Sequence, residues 1–150
     1  MPPPPRRVGE QNELSMLSTK RKVIAHVLVC QGCCCGQVER GRPEVPAEWL
    51  KLEWRRRGLL KRVQLSISGC LGPCDVPNVV EIVTQQKTVW LGEISRRDEY
   101  QSLLDWASRS KDSGHAVEIP RELMPHLLED PISACAVPST SEPCARADRR

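Results

Sequence analysis

The sequence predicts an α/β domain, with a mixed four-stranded sheet and two main helices, over residues 21–110 of a 150-residue chain. Three observations predict it. Runs with strand and helix periodicity follow one another in the order strand, helix, strand, strand, strand, helix. The first two strands are joined through a helix, which requires a crossover and sets them parallel, whereas the next two are joined by a four-residue turn and are antiparallel. Finally, two groups of cysteines each follow directly on one of the parallel strands, so the fold carries both to one edge of the sheet, the usual place for a site.

Residues 1–20 open on Pro2-Pro3-Pro4-Pro5 and continue polar through Gly9-Glu10-Gln11-Asn12. Their apolar content is too small to offset the entropy of ordering, which predicts a disordered arm. The four prolines read as a solvated spacer more readily than as a peptide ligand. From Lys22 to Val29, Val23, Ala25, Val27 and Val29 alternate with Ile24, His26 and Leu28. Both sets are largely apolar, which predicts a strand in a sheet covered on both sides. His26 reads there as a buried, hydrogen-bonded side chain and not as a ligand.

The strand runs into Cys30-Gln31-Gly32-Cys33-Cys34-Cys35-Gly36 and a polar loop containing Arg40 and Arg42. A helix is expected over 46–57. Pro46 suits the first turn, Glu48 the positive end and Arg55 to Arg57 the negative end, and Gly58 stops it. The alternating run Val63–Ser68 is the second strand, ending in Gly69-Cys70-Leu71-Gly72-Pro73-Cys74-Asp75. Val79–Val83 and Thr88–Leu91 form a hairpin. Ser95 to Asp98 resembles a capping box opening a helix that ends near Ser110. In it Tyr100, Leu103, Leu104 and Ala107 form the stripe of a helix packed on a sheet. Residues 111–150 are expected to be a low-complexity tail with a short helix at 120–129, which Pro125 disfavours. Cys135 and Cys144 fall in that tail and read as bystanders.

Several function classes are disfavoured. The 22 basic and 19 acidic residues leave a charge of only +3 and are spread along the chain, and four Trp, one Tyr and no Phe offer little for stacking on bases. Nucleic acid is therefore not an expected partner. No apolar run approaches the roughly 20 residues that span a bilayer, and no apolar segment follows the basic N-terminus as in a secretory signal. A cytoplasmic, reducing location is expected. Eight cysteines there read as metal ligands or redox thiols before they read as disulfides. No Ser/His/Asp arrangement, paired-carboxylate site or Gly-x-Gly-x-x-Gly element is present, and His115 and His126 carry no motif around them.

Cys30 and Cys35 are separated by four residues, Cys35 and Cys70 by thirty-four, and Cys70 and Cys74 by three. Four thiolates in two pairs can hold a 2Fe–2S cluster, two on each iron. Gly32, Gly36, Gly69 and Gly72 are expected to let the backbone approach the sulfurs and offer them N–H groups, while Pro73 stiffens the second turn. Cys33 and Cys34 remain open as alternatives to Cys35. Two other readings use the same residues: a thioredoxin-type dithiol at Cys30/Cys33, whose first thiol attacks a disulfide, and a structural zinc site on four thiolates.

The Cys-x4-Cys pair, the gap and the element Cys70-Leu71-Gly72-Pro73-Cys74 resemble the thioredoxin-like 2Fe–2S ferredoxins. They are similar also to the 2Fe–2S subunit of respiratory NADH dehydrogenase. The resemblance covers roughly 22–110 and implies a thioredoxin-like fold, with Cys30, Cys35, Cys70 and Cys74 as the cluster ligands. It further implies one-electron transfer between redox partner proteins, with no catalysis by the chain itself. A homodimer is consistent with that family, as is an accessory role in tetrapyrrole or cobalamin metabolism.

Overall fold

The computed structural model describes residues 16–132. Most of the Pro-rich arm, and Cys135 and Cys144, lie outside the described residues. Strand β1 (Ala25–Cys30) leads through the cysteine loop to helix α1 (Ala47–Arg56) and strand β2 (Val63–Ser68). Then come β3 (Val80–Thr84), β4 (Thr88–Leu91), helix α2 (Arg97–Ser113) and a two-residue strand β5 (Leu127–Leu128).

The sheet order is β2-β1-β3-β4-β5. β1 and β2 are parallel, with Ala25 opposite Val63 and Cys30 opposite Ser68. The remaining neighbours are antiparallel. A β-α-β unit followed by β-β-α, with β1 between β2 and β3, is the expected thioredoxin-like layout, with β5 added at the edge. The register carries both cysteine loops past the carboxyl ends of the parallel strands.

Each helix forms for reasons legible in its residues. In α1, Ala47, Leu50 and Trp54 fall on one face and are buried, and the Trp54 indole N–H donates to the Val63 carbonyl at 2.8 Å, tying helix to strand. Gly58 takes the left-handed conformation (φ 61°) beyond the helix end, where a side chain would be strained. In α2, Tyr100, Leu103, Leu104 and Ala107 are buried as their spacing requires, together with Trp106. The two helices touch through Arg57, whose guanidinium meets Asp105 at 2.8 Å.

Three expectations need correction. Helices cover one face of the sheet, not both: Ala25, Val27 and Val29 are buried, while His26 and Leu28 between them are only partly so. The helical cap falls one residue later than Ser95, since Arg96 precedes the first turn and Glu99 supplies the returning carboxylate. Residues 111–128 are no tail, although Pro120 and Pro125 interrupt their pattern. α2 runs on to Ser113, a 3-10 turn spans Arg121–His126 with Pro125 inside it, and Leu123 is buried.

Candidate metal centre

Cys30 ends β1, and Cys33, Cys34 and Cys35 follow in the loop after it. Cys70 and Cys74 lie in the loop after β2. All six line one depression together with Gly72, Pro73 and Val79. Their burial is graded: Cys30 and Cys35 are buried, Cys34 and Cys74 half-buried, Cys33 and Cys70 exposed.

Sulfur contacts sort the six further. Cys30 and Cys35, both free thiols, lie in the interior. The Cys70 and Cys74 sulfurs stand 3.1 Å apart and the Cys33 and Cys74 sulfurs 3.5 Å apart. The sulfurs of Cys33, Cys34 and Cys74 all lie within 4.8 Å of one another. Crowding has the expected effect on acidity. Burial, then the Cys30 contact, pushes the Cys35 thiol up to about 12, partly opposed by the Val79 backbone. The Cys74 thiol is pushed up by its contacts with Cys70 and Cys33. Thiols packed this closely cannot all ionise beside one another without a cation to take up the charge, which is what a bound metal supplies.

Backbone contacts close the two loops together. The Gln31 N–H donates to the Ser68 carbonyl at 2.9 Å and the Cys30 N–H to the Val79 carbonyl at 3.0 Å. Gly32 is where the loops meet, since a Cβ there would lie 3.1 Å from the Cys70 backbone nitrogen. At Gly32 and Gly36 the expected N–H donation to sulfur gives way to other acceptors. Gly32 donates to the Cys35 carbonyl at 3.2 Å, and Gly36 donates to the Asn78 side chain at 2.9 Å. The backbone group that partly offsets the raised Cys35 thiol is that of Val79, which lines the same depression. Arg40 folds over the first loop and donates to the Cys33 carbonyl at 3.2 Å.

The histidines have other partners. His26 bonds the Ser66 hydroxyl across β1 and β2 at 2.7 Å, and His115 contacts the Ser113 carbonyl. His126 bridges the Gly92 carbonyl and the Glu99 carboxylate. Asn78 belongs beside the thiols and was missed, because a lone Asn after a Pro reads as turn chemistry until its burial is known.

No protein-family model matches the chain, and no match was found among curated proteins. Among solved structures, the wild-type thioredoxin-like [2Fe-2S] ferredoxin from Aquifex aeolicus is similar at 16% sequence identity and a TM-score of 0.44. The match covers 72% of this chain and 99% of that one. A likeness of that size assigns neither a cofactor nor a partner. The donor set itself, thiols without carboxylate or imidazole, suits a thiophilic metal centre.

Proposed function

We propose that the protein is a one-electron carrier that binds a single 2Fe–2S cluster through Cys30, Cys35, Cys70 and Cys74. The observation that carries this reading is the gathering of thiols from both loops at one edge of the sheet, with Cys30 and Cys35 buried on the inner side and the Cys70 and Cys74 sulfurs 3.1 Å apart toward the outside. Two thiolates per iron is the arrangement such a cluster requires, and when bound it accepts and releases one electron at a time. The sequence likeness at Cys70-Leu71-Gly72-Pro73-Cys74 points the same way.

The chain's own contribution is burial and orientation. Cys30 and Cys35 hold the inner side away from water, and the Val79 backbone beside Cys35 favours its thiolate. The outer side, at Cys33 and Cys70, faces solvent and is where a redox partner would approach. Arg40, which reaches the Cys33 carbonyl, and Arg42 two positions on in the same loop suit an acidic partner surface. Thiols grouped in this way belong in a reducing compartment, and the cytoplasm is the one proposed. Among the described residues no helix is long and apolar enough to cross a membrane.

One rival has an observation of its own. The sulfurs of Cys33, Cys34 and Cys74 are mutually close, and Cys70 contacts Cys74, which would suit a tetrahedral zinc. The dithiol reading lacks such support: the sulfur contact of Cys33 is Cys74, and the chain leaves Cys33 into a loop instead of a helix.

Anaerobic purification followed by visible absorption and iron, sulfide and zinc analysis separates these readings. The carrier should be red-brown, bleached by dithionite, and hold about two irons and two sulfides per chain. Cys70→Ser and Cys74→Ser should lose or sharply change that spectrum. A colourless protein with one zinc would replace the carrier by a structural site.

A further inference from the structure

Asn78 lies four positions after Cys74 and is fully buried, at 0% exposure. A carboxamide with no access to water must satisfy its donor and acceptor atoms inside the protein. Its Oδ1 accepts the N–H of Gly36, the first peptide past Cys35, at 2.9 Å. Its Nδ2 donates to the carbonyls of Pro43 at 3.0 Å and Glu44 at 3.3 Å, and stands 3.4 Å from the Tyr100 hydroxyl. Its own carbonyl accepts the Ile94 N–H at 3.1 Å. The side chain is thereby anchored to α2 and to the segment entering α1, and its oxygen is directed at the turn that carries Cys35.

The neighbouring residue continues the tie. Val79 accepts the Cys30 N–H through its carbonyl at 3.0 Å and lines the depression beside Cys35. Gly36 closes the cysteine turn in the left-handed conformation (φ 74°), and an added Cβ would lie 3.2 Å from Val45 Cγ2. Its N–H is oriented by that conformation, and Asn78 is the group that receives it. We infer that Asn78 is a positioning residue for the metal centre, fixing where the Cys30/Cys35 pair stands relative to the Cys70/Cys74 pair. The inference rests on the reading of those thiols as metal ligands. A different side chain cannot do this work: Asp would set carboxylate oxygens against the Pro43 and Glu44 carbonyls, and Leu would leave the Gly36 N–H buried without an acceptor.

The test compares full-length wild type, Asn78→Leu and Tyr100→Phe, each loaded with iron and sulfide under anaerobic conditions. Visible circular dichroism, midpoint potential and the rate of iron removal by a chelator are measured beside denaturant unfolding. Loss of a group that orients a metal ligand should speed iron removal on the order of tenfold, and should change the visible dichroism and the potential of Asn78→Leu. Tyr100→Phe removes only the anchor farther from the thiols and should lower stability while leaving those signatures at wild-type values. If Asn78→Leu is insoluble, Asn78→Ser serves, since its short hydroxyl keeps some hydrogen bonding and should give the same changes at smaller size. A folded Asn78 variant with the dichroism, potential and chelation rate of wild type would overturn the inference while the metal reading stands. Wild type that takes up no metal would instead sink the reading beneath it, and the inference with it.

Discussion

At Gly32 the first cysteine loop runs so close to the second that a single added methyl group has no room. Its Cβ would come within 3.1 Å of the Cys70 nitrogen and 3.5 Å of the Gly69 carbonyl carbon, both backbone atoms that cannot rotate aside. Gly69, thirty-seven positions later, has nothing within 4 Å of a Cβ built on it. The two glycines therefore make a matched pair of substitutions beside the same thiols. Gly32→Ala should force the loops apart by a few tenths of an ångström and destabilise the fold by about 1–3 kcal/mol, the usual cost of overpacking. It should also lower the metal content of purified protein. Gly69→Ala should leave both quantities near wild type. Equal metal retention by the two variants would mean that the loops are free to separate and that their contact does not hold the thiols in place. Sequence reasoning identified both as glycines of a cysteine loop, but which of them the fold requires depends on an approach between loops almost forty residues apart.

The start of α2 shows the same limit at the scale of an element. Its helical stripe is fully legible from spacing, because burial of Tyr100, Leu103, Leu104 and Ala107 follows from a period of 3.6. Its cap is legible only to within a residue, since Ser95 and Arg96 both precede an acidic first turn. Packing decides in favour of Glu99. It is 5% exposed, and its carboxylate accepts the backbone N–H of Ser95 at 2.8 Å and of Arg96 at 2.9 Å, the Arg96 side chain at 3.1 Å and His126 at 3.0 Å. Burial alone would raise its pKa, but the donors from Arg96 and Ser95, with His126 adding to them, hold it below the ordinary carboxylate range. A depressed folded pKa contributes stability that is present above the unfolded value, about 4.3. That stability is lost as pH falls from there through the folded value. Unfolding of wild type followed by urea between neutral pH and acid should show this loss. Glu99→Gln should be less stable at neutral pH and show a shallower decline in the acid window. An identical pH slope in the variant would assign the acid sensitivity to other carboxylates.

Across the whole molecule, the order of elements and the meeting of the two cysteine loops could be read from the chain. Period-two runs, helix punctuation and the parallel crossover are local or topological signals, and all of them survive folding. The sorting of the six thiols into an inner pair and an outer group could not be read, because it depends on which sulfurs face the core. The extent of the domain could not be read either. Residues 115–132 carry apolar side chains, but prolines and charges break them into no helical or strand period, and their contribution lies in contacts with distant partners. The Trp106 indole donates to the Val117 carbonyl at 2.8 Å, Leu123 is 1% exposed, His126 ties Gly92 to Glu99, and Leu127–Leu128 pairs with β4. Such a segment should belong to the folding unit although its pattern has no regular period. Leu123→Ala should then cost about 2–4 kcal/mol, as a core truncation does. A chain ended after Gly114 should melt about 10 °C or more below one ended after Ile132, since several kcal/mol of packing separates them. Equal melting temperatures for the two would return the domain boundary to residue 110, and the strand at Leu127–Leu128 would then be an ornament on a sheet that is complete without it.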